Sequence, residues 1–475
     1  MMIHYLVLTL FFLCVAASAS AQEKVLPRPV QLILDGHDLG HDGLSLIIQQ
    51  VDAGEPLLSL NAATPRSPAS TIKILTTFAA LDILGPAHTW STEAYLAGEL
   101  EGDKLNGDLV LKGGGDPFLS TERFWTFLRG LRASGLREVH GDLVIDNSYF
   151  EPGPEDPGRF DGQPYRTYNV PPDALLVNLK AVRFRIWRPA NGARPNVTTD
   201  PVIANLEIKN QIRNGSGPCQ GFQRGVAFNL PDGLDGNTAV LSGKFPSGCS
   251  DYSLWRTVLE PAEFTYGVFL PMWNQLGGSL SGVVRAGEVP QGSRVFSRER
   301  SIPLAEIVRN VNKFSNNAMT RQVFLTLGVE AEGQPGTPDK ARRAIVDWMN
   351  RNGFDTSSFF LDNGSGLSRD TRISADDMAH LLLLAWRHPF MSEFMSSLPL
   401  SGTDGTMRNR FRGGSLAGQM HIKTGRLDDV YSIAGYVQSK SGDRYVVVAI
   451  QNDKDVHKGP GLELQNALLR WVYEL

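Results

Sequence analysis

Ser70 and Lys73 stand three residues apart in Ser70-Thr71-Ile72-Lys73, which leads into an apolar run at helical spacing, Ile72, Ile74, Leu75, Phe78, Ala79 and Leu81. A helix opening at Ser70 puts the Lys73 amine one turn on, on the same face as the hydroxyl. It also gives the serine the backbone N–H groups and positive dipole end of a helix N-terminus. A serine attacks an amide only when a base takes its proton. A lysine is such a base when burial and a nearby cation hold its amine partly neutral. Two later motifs, Ser315-Asn316-Asn317 and Lys423-Thr424-Gly425, supply the remaining groups that this chemistry needs. Lys423 offers a cation to a substrate carboxylate, and also the charge that would depress Lys73. Thr424 offers a hydroxyl to the same carboxylate. Gly425 lets a substrate backbone lie close against a strand. Ser315 is placed to relay a proton to a leaving amine, and Asn317 to hold the substrate amide and Lys73. Each motif alone has a plain structural reading: an N-cap serine before a surface lysine, a turn, a strand end entering a glycine turn. Their combination in this order is what points to chemistry.

The elements around them follow from local pattern. Leu44 to Val51 and Leu57 to Asn61 read as strands joined by a turn at Asp52-Ala53-Gly54-Glu55-Pro56. From about residue 88, short strands at Ser91 to Leu96, Asp108 to Lys112 and Gly141 to Asp146 alternate with turns, and Thr121 to Ser134 reads as a helix. Pro171 to Pro261 is nearly all short strands and loops. So long a stretch between two parts of one site reads as an insertion, or as two nested ones. Helical spacing returns at Ser301 to Asn312, Ser315 to Leu327, Asp339 to Arg351 and Ala375 to Trp386. Gln419 to Thr424, Tyr431 to Gln438 and Tyr445 to Gln451 read as neighbouring strands, with Lys423-Thr424-Gly425 at the end of the first. Leu462 to Leu475 is an amphipathic helix of mixed charge, expected to pack on the sheet. His421 should share a strand face with Lys423 and is read as structural.

Composition bounds the rest. The 475 residues are 42% hydrophobic and 20% charged with a net charge of −4, as in a globular protein. That balance argues against nucleic-acid binding or a polybasic membrane contact. Residues 1–21 carry no acid, Lys or Arg; an apolar run ends at Ala19-Ser20-Ala21, a small-x-small site, so they read as a cleaved export signal. Beyond it no stretch is apolar enough to span a bilayer. Processing leaves Cys219 and Cys249, which an exported protein most simply pairs. No Cys/His cluster or H-E-x-x-H pattern suggests a metal, and no glycine loop has a nucleotide-binding form, so no cofactor is expected.

S-x-x-K, S-x-N and K-T-G together are the motifs of penicillin-reactive serine enzymes. The chain resembles the D-alanyl-D-alanine carboxypeptidase/endopeptidases of the penicillin-binding protein 4 type, peptidase family S13. The likeness covers nearly all of the chain after residue 21. It extends to Gly114-Gly115-Asp116-Pro117, to Gly141-Asp142-Leu143-Val144-Ile145-Asp146-Asn147-Ser148-Tyr149-Phe150 and to Ala174-Leu175-Leu176-Val177-Asn178. It continues through Asp362-Asn363-Gly364-Ser365-Gly366-Leu367-Ser368-Arg369, Leu398-Pro399, Gly402-Thr403-Asp404-Gly405-Thr406 and Ile433-Ala434-Gly435-Tyr436-Val437. The resemblance implies an α/β (α+β) transpeptidase/β-lactamase-like domain, an antiparallel sheet flanked by helices, carrying nested, mainly-β insertions. The corresponding division is a catalytic domain at 22–87 and 288–475, an inserted α/β domain at 88–170 and 262–287, and a nested all-β domain at 171–261. It implies Ser70 as nucleophile, Lys73 as base, Ser315 as relay, and Asn317, Lys423, Thr424 and Gly425 as substrate-binding residues. The oxyanion would sit on the backbone N–H groups of Ser70 and Arg426. Arg369, placed beside the cleft, would pair with an acidic third residue of the peptide or brace its own loop. The family often has Asp where Asn316 stands, and a small or hydroxyl residue where Arg426 stands.

The expected substrate is therefore a peptidoglycan stem peptide in the periplasm, with β-lactams as covalent mimics. Two rivals share the motifs. A β-lactamase would need a deacylating glutamate motif, which is not found. A penicillin-recognising scaffold would not need an intact Ser70/Lys73 pair. Cell-wall protein partners of the insertions, or a homo-oligomer, stay open.

Overall fold

The computed structural model describes residues 26–475, so the export signal expected at residues 1–21 lies outside the described residues. A five-stranded antiparallel sheet forms the centre, in the order Met420–Leu427, Val430–Gln438, Arg444–Asn452, Leu44–Gln50, Leu58–Leu60. Side chains alternate across it with period two. Leu46, Ile48, Val447 and Ala449 face the helices Arg28–Gly36 and Pro460–Glu474 near the two ends of the chain. Ile47, Val446, Val448 and Ile450 face a larger helical layer: Lys73–Leu84, Leu304–Phe314, Asn317–Glu332, Pro338–Arg351 and Ala375–Arg387. The run Val446-Val447-Val448-Ala449-Ile450 is buried throughout because both faces are covered. The mixed α/β architecture expected from the sequence is the one observed, and the C-terminal helix packs on the sheet.

Between residues 84 and 304 the chain builds further sheets. Ser91–Glu101 and Lys104–Gly113 form a hairpin across Gly102, whose φ of +64° suits glycine. Leu143–Asp146 pairs parallel with Lys104–Gly113 and with Val284–Ala286. Val295–Arg300, expected with the catalytic segment from residue 288, pairs antiparallel with Ser91–Tyr95. The chain thus returns to the centre beside its point of departure: Leu304 N donates to His88 O at 2.9 Å and Ala305 N to Pro86 O at 3.0 Å. Two three-stranded sheets follow within residues 181–257, one of Val226–Asn229, Thr238–Phe245 and Glu207–Asn214, the other of Asp251–Thr257, Ala181–Trp187 and Asn196–Asp200. Cys219 and Cys249 form a disulfide there. The helix Pro261–Gln275, absent from the sequence reading, buries Phe264, Val268, Phe269 and Trp273 in the core of these insertions. No helix among the described residues is long and apolar enough to cross a membrane.

Candidate active site

Ser70 lies in a 3-10 turn, Ala69–Ile72, that runs straight into the helix Lys73–Leu84. This tight turn, rather than an α-helical first turn, presents the hydroxyl, and Ala69 takes a left-handed φ of +48° to make it. Lys73 is fully buried, and its Nζ donates to Ser70 Oγ at 3.0 Å, to Asn317 Oδ1 at 2.7 Å and to the Ser365 carbonyl. Burial holds its amine well below the ordinary lysine range, and the Lys423 charge adds to the effect. The Lys73 amine is therefore close to the Ser70 hydroxyl and disposed to be neutral.

Ser315 occupies a left-handed position, φ +56°, at the elbow between Leu304–Phe314 and Asn317–Glu332. Asn316 caps the second helix through Oδ1, accepting from Met319 N at 3.0 Å. An Asp would cap equally well, which explains why Asn can stand where the family often has Asp. Asn317 is held from its other side by Tyr168, whose carbonyl accepts from Nδ2 at 3.1 Å.

Lys423, also fully buried, donates to Ser315 Oγ and to the Thr424 carbonyl, both at 2.9 Å. Burial lowers its amine to about 7. Two ammonium groups in one buried cluster repel, so protonation of one opposes protonation of the other. Thr424 Oγ1 donates to Thr406 Oγ1 at 2.8 Å. The loop carrying Thr406 is pinned by Asp404, which accepts from buried Lys313 Nζ at 2.8 Å. Gly425 also has a packing reason. A Cβ there would sit 2.3 Å from Ser432 Oγ, 2.7 Å from Pro68 O and 3.0 Å from Ser70 N. The strand edge is thus already pressed against the serine turn, and glycine is needed to let that turn seat. Arg426 follows with an exposed side chain.

The loop Asn363–Ser368 closes the centre. Gly364 and Gly366 have φ of +71° and +75°, and a Cβ on Gly366 would lie 2.0 Å from Ala69 O. Thr76 Oγ1 donates to Gly364 O at 2.8 Å, tying the loop to the serine helix beside the Lys73–Ser365 contact. Arg369 leaves this loop half-exposed; Nη1 donates to Asp428 O at 3.1 Å, and the guanidinium lies 4.9 Å from the Phe160 ring centroid. It lines a cavity of about 730 Å³ with Glu155, Asp156, Phe160, Arg321 and Asn363. His421 is largely buried, and burial with nearby Lys313 and Arg444 lowers it to about 4, so the ring is neutral at pH 7.

The structure thus brings Ser70, Lys73, Ser315, Asn317, Lys423, Thr424 and Gly425 into one cluster. Ser365 and Thr406, which stood in motifs of the resemblance without a role, and Tyr168, which was not named, complete it. Two of them act through main-chain carbonyls, which no residue type announces. Among the described residues no group of His, Cys, Asp and Glu could hold a metal ion.

A family model described as the D-Ala-D-Ala carboxypeptidase 3 (S13) family matches residues 29–475. A D-alanyl-D-alanine carboxypeptidase of Actinomadura sp. (strain R39) is 30% identical over 95% of this chain and 85% of its own length. D-alanyl-D-alanine carboxypeptidase DacB of Haemophilus influenzae is 22% identical over 89% and 87% respectively. The crystal structure of penicillin binding protein 4 (dacB) from Haemophilus influenzae superposes with a TM-score of 0.78 at 21% identity, covering 94% of this chain and 99% of that one. Its complex with a β-lactam superposes with a TM-score of 0.75 at 20% identity, over the same shares of the two chains.

Proposed function

This chain belongs to the D-Ala-D-Ala carboxypeptidase 3 (S13) family, and we propose that it cleaves peptidoglycan stem peptides through an acyl-enzyme on Ser70. The observation that carries the mechanism is the buried Lys73 amine 3.0 Å from Ser70 Oγ. Neutral Lys73 takes the Ser70 proton as Oγ bonds to the carbonyl carbon of the penultimate D-Ala. The oxyanion forms against the backbone N–H groups of Ser70 and Arg426. The proton passes to the terminal D-Ala nitrogen through Ser315, the C–N bond breaks, and D-Ala leaves. Water then attacks the ester, giving its proton to Lys73, and the Ser70 hydroxyl is restored. Asn317 orients both Lys73 and the substrate amide. Protonated Lys423 and Thr424 hold the terminal carboxylate; Thr424 turns its hydroxyl from Thr406 to do so.

The same steps cut a D-Ala–diaminopimelate-type cross-link when the leaving amine belongs to a second stem, so the reading includes endopeptidase activity. β-Lactams present the same carboxylate beside a strained amide and stay attached as the ester; the complex of the Haemophilus influenzae neighbour with a β-lactam supports β-lactam binding. The signal-like pattern of residues 1–21 supports a periplasmic location for this work. Arg369, half-exposed on the large cavity next to Phe160, reads a carboxylate on the third residue of the stem. The reading also takes a catalytic domain at 22–87 and 288–475, an inserted α/β domain at 88–170 and 262–287 and a nested all-β domain at 171–261, with Val295–Arg300 pairing against the inserted strand Ser91–Glu101.

A defined cross-linked muropeptide, incubated with the mature protein, tests this. Mass analysis should show loss of terminal D-Ala and scission of the dimer. A mixture left intact at enzyme concentrations that acylate with penicillin would contradict the substrate assignment.

A further inference from the structure

Beside Asn317, on the side away from Lys73, the turn Thr167–Asn169 carries Tyr168, and two residues earlier Arg166. The Arg166 guanidinium lies 5.8 Å from the ring centroid of Phe222, which is 77% exposed although large and apolar. The next residue, Gln223, accepts through Oε1 from Arg256 Nη2 at 2.9 Å. Arg256 is only 5% exposed; its Nη1 donates to the Trp255 carbonyl at 2.7 Å, and its guanidinium lies 5.6 Å from the Phe228 ring centroid. Thus one guanidinium lies against Phe222 and a second is bonded to the adjacent Gln223. Neither has a carboxylate partner among the described residues, and Arg166 Nε is buried with no hydrogen-bond acceptor at all. The neighbouring carboxylate, Asp161, is occupied by Tyr168 Oη at 2.7 Å and Asn169 Nδ2 at 2.9 Å. Burial and the Arg166 charge together lower Arg256 to about 10. The disulfide from Cys219 to Cys249 anchors the loop that presents Phe222.

Two like charges set side by side, one of them desolvated, are unfavourable unless an anion completes them. Guanidinium forks match a carboxylate in shape and donor spacing. An exposed phenyl ring next to them adds apolar contact for the chain that carries the carboxylate. We propose that Arg166, Arg256 and Phe222 form an anion subsite beside the active site, which binds a carboxylate of an acidic peptide substrate at a point removed from the scissile amide. The inference rests on the carboxypeptidase reading, because the turn bearing Arg166 also fixes Asn317 through the Tyr168 carbonyl. None of Arg166, Arg256 and Phe222 lines the cavity beside Arg369, although Asn169 of the same turn does. In the bland alternative, Arg256 only braces the loop through Gln223 and Arg166 only covers Phe222.

The two readings part in the choice between charged and neutral substrates. The probe is one defined muropeptide dimer and the same dimer with its carboxylates outside the D-Ala terminus amidated, assayed with the full mature protein. The wild type should prefer the acidic form, and added salt should erode the preference. Arg166→Glu should lower kcat/KM on the acidic form by about tenfold relative to the amidated form, as expected for the loss of a partly desolvated ion pair. Phe222→Ala should weaken both forms alike. Penicillin labelling of each variant checks that the serine centre is intact. An unchanged acidic-to-amidated ratio in Arg166→Glu overturns the subsite. If wild-type protein neither labels nor cleaves, the carboxypeptidase reading itself fails, and calorimetric binding of the two dimers to Ser70→Ala then decides the subsite. Equal affinity for both dimers would overturn it; a preference for the acidic dimer that Arg166→Glu abolishes would support it.

Discussion

Gly425→Ala should slow acylation sharply although it removes no polar side chain of the site. The added Cβ would stand 2.3 Å from Ser432 Oγ, 2.7 Å from Pro68 O and 3.0 Å from Ser70 N. Relaxed contacts of carbon with such atoms are about 3.3 Å or longer, so the serine turn must retreat by about 0.5 Å. Ser432 cannot simply rotate away, because its hydroxyl donates to Pro68 O at 2.6 Å. A misplacement of about 1 Å in a reacting group costs on the order of a hundredfold, and loss of one oxyanion donor costs about a hundred- to a thousandfold. A retreat of this size should therefore reduce the second-order rate constant for penicillin acylation by about ten- to a hundredfold, with overpacking costing about 1–3 kcal/mol of stability. The assay is the time course of labelling by a fluorescent penicillin, beside a thermal melt. Adding Ser432→Ala removes the shortest contact but leaves Pro68 O, so the double variant should stay slow. Wild-type acylation by Gly425→Ala, or full recovery in the double variant, would refute the packing argument.

Lys73→Ala should suppress acylation of every substrate by about a thousandfold or more, since it removes the general base; a carboxylate-free ester that is spared would contradict that role. Lys423 bears on pH. Its amine titrates near 10.5 when unfolded and at about 7 when folded, so between these values the unfolded chain holds the extra proton and stability rises with pH. Lys423→Met should flatten that rise in melts taken from pH 7 to 10, and an unchanged slope would place the titration elsewhere. Breaking the Cys219–Cys249 link by Cys→Ser substitution, across 30 residues of sequence separation, should cost about 3 kcal/mol. Hydrogen exchange should show the loss confined to residues 181–257. Arg369→Ala should reduce kcat/KM for stem peptides with an anionic third residue far more than for a bare D-Ala-D-Ala mimic; equal losses would leave Arg369 as a brace held by Asp428 O.

Much of this architecture is written in local pattern. Helices with a strong apolar stripe and a side-chain cap were legible, as at Ser374, which accepts from Asp377 N at 2.9 Å. So were the alternating strands around Lys423. The helix Pro261–Gln275 was not, because Pro271 in its interior reads as a breaker. The strand Ser91–Glu101 runs past the expected end because Gly98, which looks like a stop, pairs with Gly107; a Cβ on Gly98 would meet Asn106 O at 2.3 Å. Which strands pair in parallel, as Leu143–Asp146 does with Lys104–Gly113, depends on contacts between distant segments that have no local signal. The same limit governs the site. Ser70, Lys73 and Lys423 carry their chemistry in side chains with recognisable spacing. The carbonyls of Ser365 and Tyr168 reach the same centre from far along the chain, and any residue type has a carbonyl. The family motif and the glycines around Ser365, which take left-handed φ, marked that loop, but not the role of its carbonyl.

The central claim is that Ser70 is the acylated nucleophile. Purified mature protein incubated with benzylpenicillin, followed by intact mass and proteolytic peptide mapping, tests it most directly. The account predicts one adduct per chain, on the peptide containing Ser70, and none on Ser70→Ala. An adduct on another serine, or one that persists in Ser70→Ala, would contradict it.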